Sequence, residues 1–179
     1  KKVIVLEHQS VPGGFAHDFT RKGFTFEVAL HAMDGVGPGG WVYPVLRDLG
    51  VLDRVVFHRL DPFYTASFPE HEVTAHADPA AYEAELVRMF PDQAAGIRAL
   101  IEDMLGVFFD TRRFTADAEL GSRPPLHEVP DRYPRMVDAM STSWEQYMLR
   151  HLRDPRARAV FSTLWGYYGL PPSRLNAAT

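Results

Sequence analysis

The sequence contains no cysteine. That removes disulfides, thiolate metal sites and thiol nucleophiles together, and it fits a cytoplasmic origin. Positive charge is also scarce: 19 Lys and Arg stand against 23 Asp and Glu, for a net charge of −4. No basic stripe interrupts this balance, so a nucleic-acid partner is not expected. No apolar run approaches the ~18 residues of a membrane span. The 8 histidines are scattered without paired i, i+4 spacing, so no metal site is expected either. A G-x-S-x-G nucleophile elbow is missing, and no catalytic dyad stands out. The catalytic residues are unknown from sequence.

What is present begins at the first residues. KKVIVLE reads as a short buried strand, Val3–Leu6, with Glu7 at its end, and Gly13-Gly14 follow. In a nucleotide-binding βαβ unit, a carboxylate at the end of a strand accepts the ribose hydroxyls, and a glycine-rich turn carries the pyrophosphate. Glu7 fits that acid. Gly13 and Gly14 are suited to close backbone approach, which a Cβ would block. The turn G-x-G-x-x-G that should precede the acid would lie upstream of Lys1. The stretch GVGPGG at 35–40 lacks a strand–turn–helix context and reads as a flexible turn.

Further along, Phe24–Leu30 alternates as a second strand. Trp41–Leu49 reads as a short helix stopped by Gly50. Val55–His58 reads as a strand, and Tyr64–Phe68 with Glu72–Ala75 as a hairpin. Helical patterns start at Pro79. After Pro91 a stripe of Ile97, Leu100, Ile101, Met104, Leu105 and Phe108 predicts a core-facing helix, with Arg98 and Glu102 paired on its outer side. Residues 115–133 read as a loop rich in proline and charge. Thr142 with Glu145 forms a candidate capping box. Asp154-Pro155 opens another helix, and Pro171-Pro172-Ser173 closes it. The aromatic residues Trp144, Tyr147, Phe161, Trp165, Tyr167 and Tyr168 read first as helix–helix core, with the lining of an apolar tunnel as the functional alternative.

VLE-x5-GG, then GFTFEVALH, then DGVGPGG, together resemble the flavin-dependent carotenoid and retinoid oxidoreductases. That group holds the phytoene desaturases, carotenoid isomerases and retinol saturases within the flavin amine oxidase superfamily. Gly23, Phe24, Phe26, Glu27 and His31 match its second motif, while Ala29 stands where the family usually has glycine. LRDLGVLDRV, FPEHEV, DPAAYEAELVRMFPDQAAGI and YGLPPSRL extend the likeness over nearly the whole chain.

The resemblance implies an α+β architecture. Residues 1–40 would be one strand and the glycine loop of a Rossmann-type FAD domain; residues 41–179 would be a substrate region of a small sheet followed by helices. It implies a fragment of an FAD enzyme acting on C–C or C=C bonds of a lipophilic, polyene-like substrate. Glu7, Gly13, Gly14 and His31 would be the cofactor contacts, and the fragment alone would be inactive and hold FAD weakly. Peripheral contact with a membrane is compatible with such a substrate. A strand at residues 1–7 lacking its neighbour would invite self-association. The alternative is a helical lipid- or protein-binding module without a cofactor.

Overall fold

The structure is a computed structural model and describes residues 2–29 and 31–179. The chain divides into two units, Lys1–Arg59 and Leu60–Thr179.

In the first unit the expected strand Val3–Leu6 is not formed. Its four apolar side chains are 78–91% exposed, and residues 2–7 pair with no strand among the described residues. Extended backbone becomes a strand only when a neighbour completes its hydrogen bonds, and here none does. A hairpin that the sequence reading did not anticipate forms instead. β1 (Asp18–Arg21) pairs antiparallel with β2 (Phe24–Glu27), Phe19 opposite Phe26. Lys22 and Gly23, at φ 54° and 83°, make the two-residue turn, the left-handed geometry that such hairpins require. The Phe19 and Phe26 rings stack at 5.2 Å. Of the strand predicted at 24–30, residues 24–27 form it and 28–29 do not, while Leu30 lies outside the described residues. α1 (Tyr43–Asp48) follows, with Gly50 at φ 66° just beyond it. Val55–His58, expected as a strand, has no regular structure; a 3-10 turn at Leu52–Arg54 precedes it.

The second unit carries the buried core. β3 (Tyr64–Ser67) and β4 (Glu72–Ala75) form the hairpin that alternation indicates. Val73 points into the core and is 1% exposed. α2 (Pro79–Met89) is capped by Asp78, which accepts from the Ala80 N–H. A 3-10 turn at Pro91–Gln93 leads into α3 (Ala94–Glu119), 26 residues long. α3 runs straight through the first residues of the expected 115–133 loop. α4 (Val129–Arg132), α5 (Pro134–Met140), α6 (Trp144–Leu149) and α7 (Pro155–Phe161) then pack around it.

The buried cluster joins Ile97, Leu100 and Val107 of α3 with Leu86, Ala139, Tyr147, Met148, Leu152 and Val160. The predicted stripe on α3 is therefore half right. Met104, Leu105 and Phe108 are 41–52% exposed: Met104 and Phe108 face a cavity, while the buried side of the helix continues through Val107 and Asp110. The expected Arg98–Glu102 pair is also replaced. Arg98 reaches Glu83 of α2 at 3.0 Å, and Glu102 reaches Arg135 of α5 at 3.4 Å. Tertiary partners outcompete an i, i+4 pair worth only a few tenths of a kcal/mol.

Two caps separate right from wrong sequence readings. α6 starts one residue later than the Thr142 reading: Ser143 is the cap, accepting from the Gln146 N–H at 3.3 Å. Thr142 instead donates to the Asp138 carbonyl. At α7, Asp154 caps as expected, accepting from the Arg156 N–H at 2.8 Å. The Arg156 guanidinium holds the Asp154 carboxyl below its ordinary value, with the backbone N–H groups adding to it. Replacing Asp154 by alanine should cost about 1 kcal/mol at neutral pH. Because the folded-state value is lowered, that contribution is present above the ordinary aspartate value and disappears as pH falls through the folded one. Urea midpoints of the native and Asp154→Ala chains, compared at neutral and acid pH, should therefore converge in acid.

Candidate functional site

Two places in the structure have the chemistry of a site, one in each unit. In the first unit, Glu7 opens the loop that contains Gly13 and Gly14. One Glu7 carboxylate oxygen accepts from the Gln9 N–H at 2.8 Å. That bond comes first among the influences holding the carboxyl below its usual range, with the His8 and Gly13 N–H groups and His17 helping. Glu7 is therefore an anion at neutral pH, fully exposed, and tied to the glycine loop through Gly13.

The two glycines do different work. Gly13 sits at φ 130°, and a Cβ there would meet the Ala16 carbonyl oxygen at 2.7 Å, so this residue closes the turn. The Ala16 N–H returns to the Gly13 carbonyl at 2.9 Å. Gly14, at φ 61°, has nothing within 4 Å of its Cβ position. Its bare backbone faces open space, the condition for close approach by a phosphate. An ionised acceptor beside a bare glycine turn fits the ribose and pyrophosphate end of a dinucleotide-type flavin.

His31 does not join this group through any described contact. Its Nε2 lies 4.0 Å from Glu27 Oε2. Glu27 also accepts from the Ala29 N–H at 2.6 Å, the structural role expected of it. Ala29 does not have positive φ; among the described non-glycine residues only Lys22 does. The alanine at a position usually glycine is thus accommodated without strain.

The stretch at 35–40 is more ordered than a flexible turn. Gly35, Gly37 and Gly40 fall at G-x-G-x-x-G spacing, yet the loop is closed on itself. The Gly35 carbonyl accepts from the Val42 and Tyr43 N–H groups, both at 3.0 Å. A Cβ on Gly40 would lie 2.1 Å from that same oxygen. Its glycines serve internal packing.

The second place is a cavity of about 370 Å³ between α3, α6 and the chain after α7. Sequence reasoning left the aromatic residues divided between core and tunnel, and the structure places them in the core and on the wall of this cavity. Trp144 and Tyr147 are buried in the core at 8% and 2% exposure. They also line the cavity together with Phe161, Trp165 and Tyr168. Tyr167 is 68% exposed and lies outside the lining. Met104 and Phe108, exposed on α3, complete the mouth. No charged side chain lines the cavity. Three of its polar side chains are engaged with other groups: Ser162 donates to the Met148 sulfur, Thr111 to the Val107 carbonyl, and Asn176 to the Met140 carbonyl. An amine cation would find no charged side chain to pair with there, whereas an uncharged hydrocarbon needs none.

A neighbouring hydroxyl pair was not anticipated from sequence. Tyr82 and Tyr64 share a hydrogen-bonded contact, and burial pushes both phenols upward. Only tertiary structure brings a strand tyrosine against a helix tyrosine, so no local pattern could reveal it. Among the described residues no helix is long and apolar enough to cross a membrane, and no His, Cys, Asp and Glu cluster could hold a metal ion.

Comparison with known proteins adds the following. The family described as flavin containing amine oxidoreductase matches residues 1–177. Prolycopene isomerase 1 and prolycopene isomerase 2, both chloroplastic, from an Oncidium hybrid cultivar, are each 31% identical to the chain over 110 residues. Each match takes in 60% of this chain and 19% of the relative's length. No solved structure matches.

Proposed function

The chain belongs to the flavin-containing amine oxidoreductase family, and from that premise we propose that it is part of an FAD enzyme acting on C=C bonds of an uncharged, lipophilic substrate. The observation that carries this reading is the cavity at Trp144, Tyr147 and Trp165, aromatic and without a charged side chain. Such pockets take ligands through apolar area, with few polar anchors. A flavin, when bound, supplies the exchange of hydride that desaturation, saturation or isomerisation of a polyene draws on. The isomerase names of the relatives favour isomerisation among these three.

The chain's own residues would divide the work. Glu7 would accept the ribose hydroxyls, Gly14 would present bare backbone to the pyrophosphate, and Gly13 would close the turn that presents it. His31, 4.0 Å from Glu27, would be the contact to the ring end. The aromatic cavity orients the substrate and excludes water. The enzyme would work in the cytoplasm or against a membrane surface, and the full-length protein would be the active form.

A second reading is supported by the placement of the cavity. Its lining runs from Met104 to Thr179, wholly within the second unit, so that unit could bind a lipophile without any cofactor. The deciding test is visible absorption of the full-length protein that carries this chain, as purified and after adding FAD. A flavin spectrum that shifts on adding a polyene is the expected result. A colourless protein that takes up no FAD would sink the oxidoreductase and leave the binding module.

A further inference from the structure

A second cavity, of about 390 Å³, lies between the end of β3 and the chain after α7. It too has no charged side chain; Ala66, Phe68, Ala159 and Pro172 are among its walls. Ser162 and Trp165 line both this cavity and the aromatic one. These two residues are the common wall.

The two are held differently. Ser162 is 9% exposed, and its hydroxyl donates to the Met148 sulfur at 3.6 Å. It is small and locked into the core. Trp165 stands on a four-residue 3-10 turn, Trp165–Tyr168, ended by Gly169 at φ 71°, and is 45% exposed. Its amide is held by the Ser162 carbonyl at 3.0 Å, which fixes where the indole begins. Of the shared wall, the indole is the bulk.

We propose that Trp165 is a specificity-determining residue: its indole divides one elongated apolar channel in two and sets the length of lipophile that the aromatic cavity accepts. This rests on the reading of that cavity as the substrate site. Either chamber alone is near the small end of the ~300–1,000 Å³ range of ligand pockets. A substrate longer than the first chamber must displace the indole or remain partly in water.

The test is binding of a graded series of straight-chain alkanols to the full-length protein that carries this chain, measured by calorimetry. Affinity should rise about fourfold for each added CH₂ while the chain is being buried, then level off when the first chamber is full. In Trp165→Ala the plateau should move to longer alkanols, with at least a tenfold gain for the longest. Trp165→Phe should move it part of the way, and it decides the matter if the alanine variant does not fold. A plateau unmoved in folded variants would overturn the role of Trp165 and leave the cavity as the binding site. If the native chain binds no alkanol, the substrate reading of the cavity fails, and this proposal with it.

Discussion

Replacing Gly96 by alanine is expected to lower the unfolding free energy by about 3 kcal/mol. Gly96 lies in the first turn of α3, where the chain after α6 crosses it. A Cβ at this position would sit 2.1 Å from the His151 carbonyl oxygen and 3.0 Å from its carbon. Backbone must move to make room, and this backbone is pinned. Gln93 Oε1 accepts from the Arg153 N–H at 2.8 Å and the Asp154 N–H at 3.3 Å. His151 Nε2 lies 3.0 Å from Asp103. The gain of up to about 1 kcal/mol from alanine's better helix propensity cannot offset that displacement.

Gly106, two to three turns further along the same helix, supplies the control. There the three atoms nearest a Cβ all belong to the Arg135 side chain. Arg135 is half exposed, and its ion pairs with Glu102 and Asp103 are 3.4 and 3.6 Å long. It can swing away, and such surface pairs are worth about 0–1 kcal/mol. Gly106→Ala should therefore leave stability within about 1 kcal/mol of the native chain. Urea unfolding of the two variants reads the contrast directly; equal midpoints would show that the 151–154 corner yields after all.

Replacing Asp110 by alanine should cost about 2–3 kcal/mol. Tyr133 precedes α5 without providing a side-chain cap. Asp110, from the middle of α3, takes over that function: one of its carboxylate oxygens accepts from the Arg135 N–H at 3.0 Å and the Met136 N–H at 3.4 Å. The carboxylate is nearly buried and faces the positive end of α5. Alanine would leave both N–H groups without their acceptor. Asp110→Asn keeps an acceptor oxygen and gives up only the charge, so it should lose less than half as much. A shift in urea midpoint at unchanged slope is the signature of this loss. If the asparagine and alanine variants unfold together, the amide contacts contribute little.

These two positions also show what the sequence could and could not reveal. Local signals were legible where the chain satisfies itself locally. The 64–75 hairpin alternates, Asp154-Pro155 caps its own helix, and Gly50 follows the helix it stops. Readings failed where a partner distant in sequence decides the outcome. Val3–Leu6 has strand residues but no ladder to join. α3 continues through residues 115–119 because Asp117 is drawn to the Tyr133 hydroxyl, a contact no window of residues contains. The Arg98 and Glu102 side chains abandon each other for α2 and α5.

The candidate site divides along the same line. Glu7, Gly13 and Gly14 were legible because one loop carries all three. The aromatic residues were legible as a group, but the cavity they enclose needs α3 on its far side, and Trp165 acquires its meaning only from a second cavity.

At 26 residues and about 39 Å, α3 is a spine against which α2, α5 and the Pro91–Gln93 turn pack. Its first turns hold the 151–154 corner, its middle caps α5, and its end anchors Tyr133. No layer of that unit can open while α3 keeps all of its partners. Amide hydrogens of residues 97–107 should consequently exchange with solvent only through complete unfolding, while those of residues 3–6, unpaired in the first unit, exchange as fast as in a free peptide.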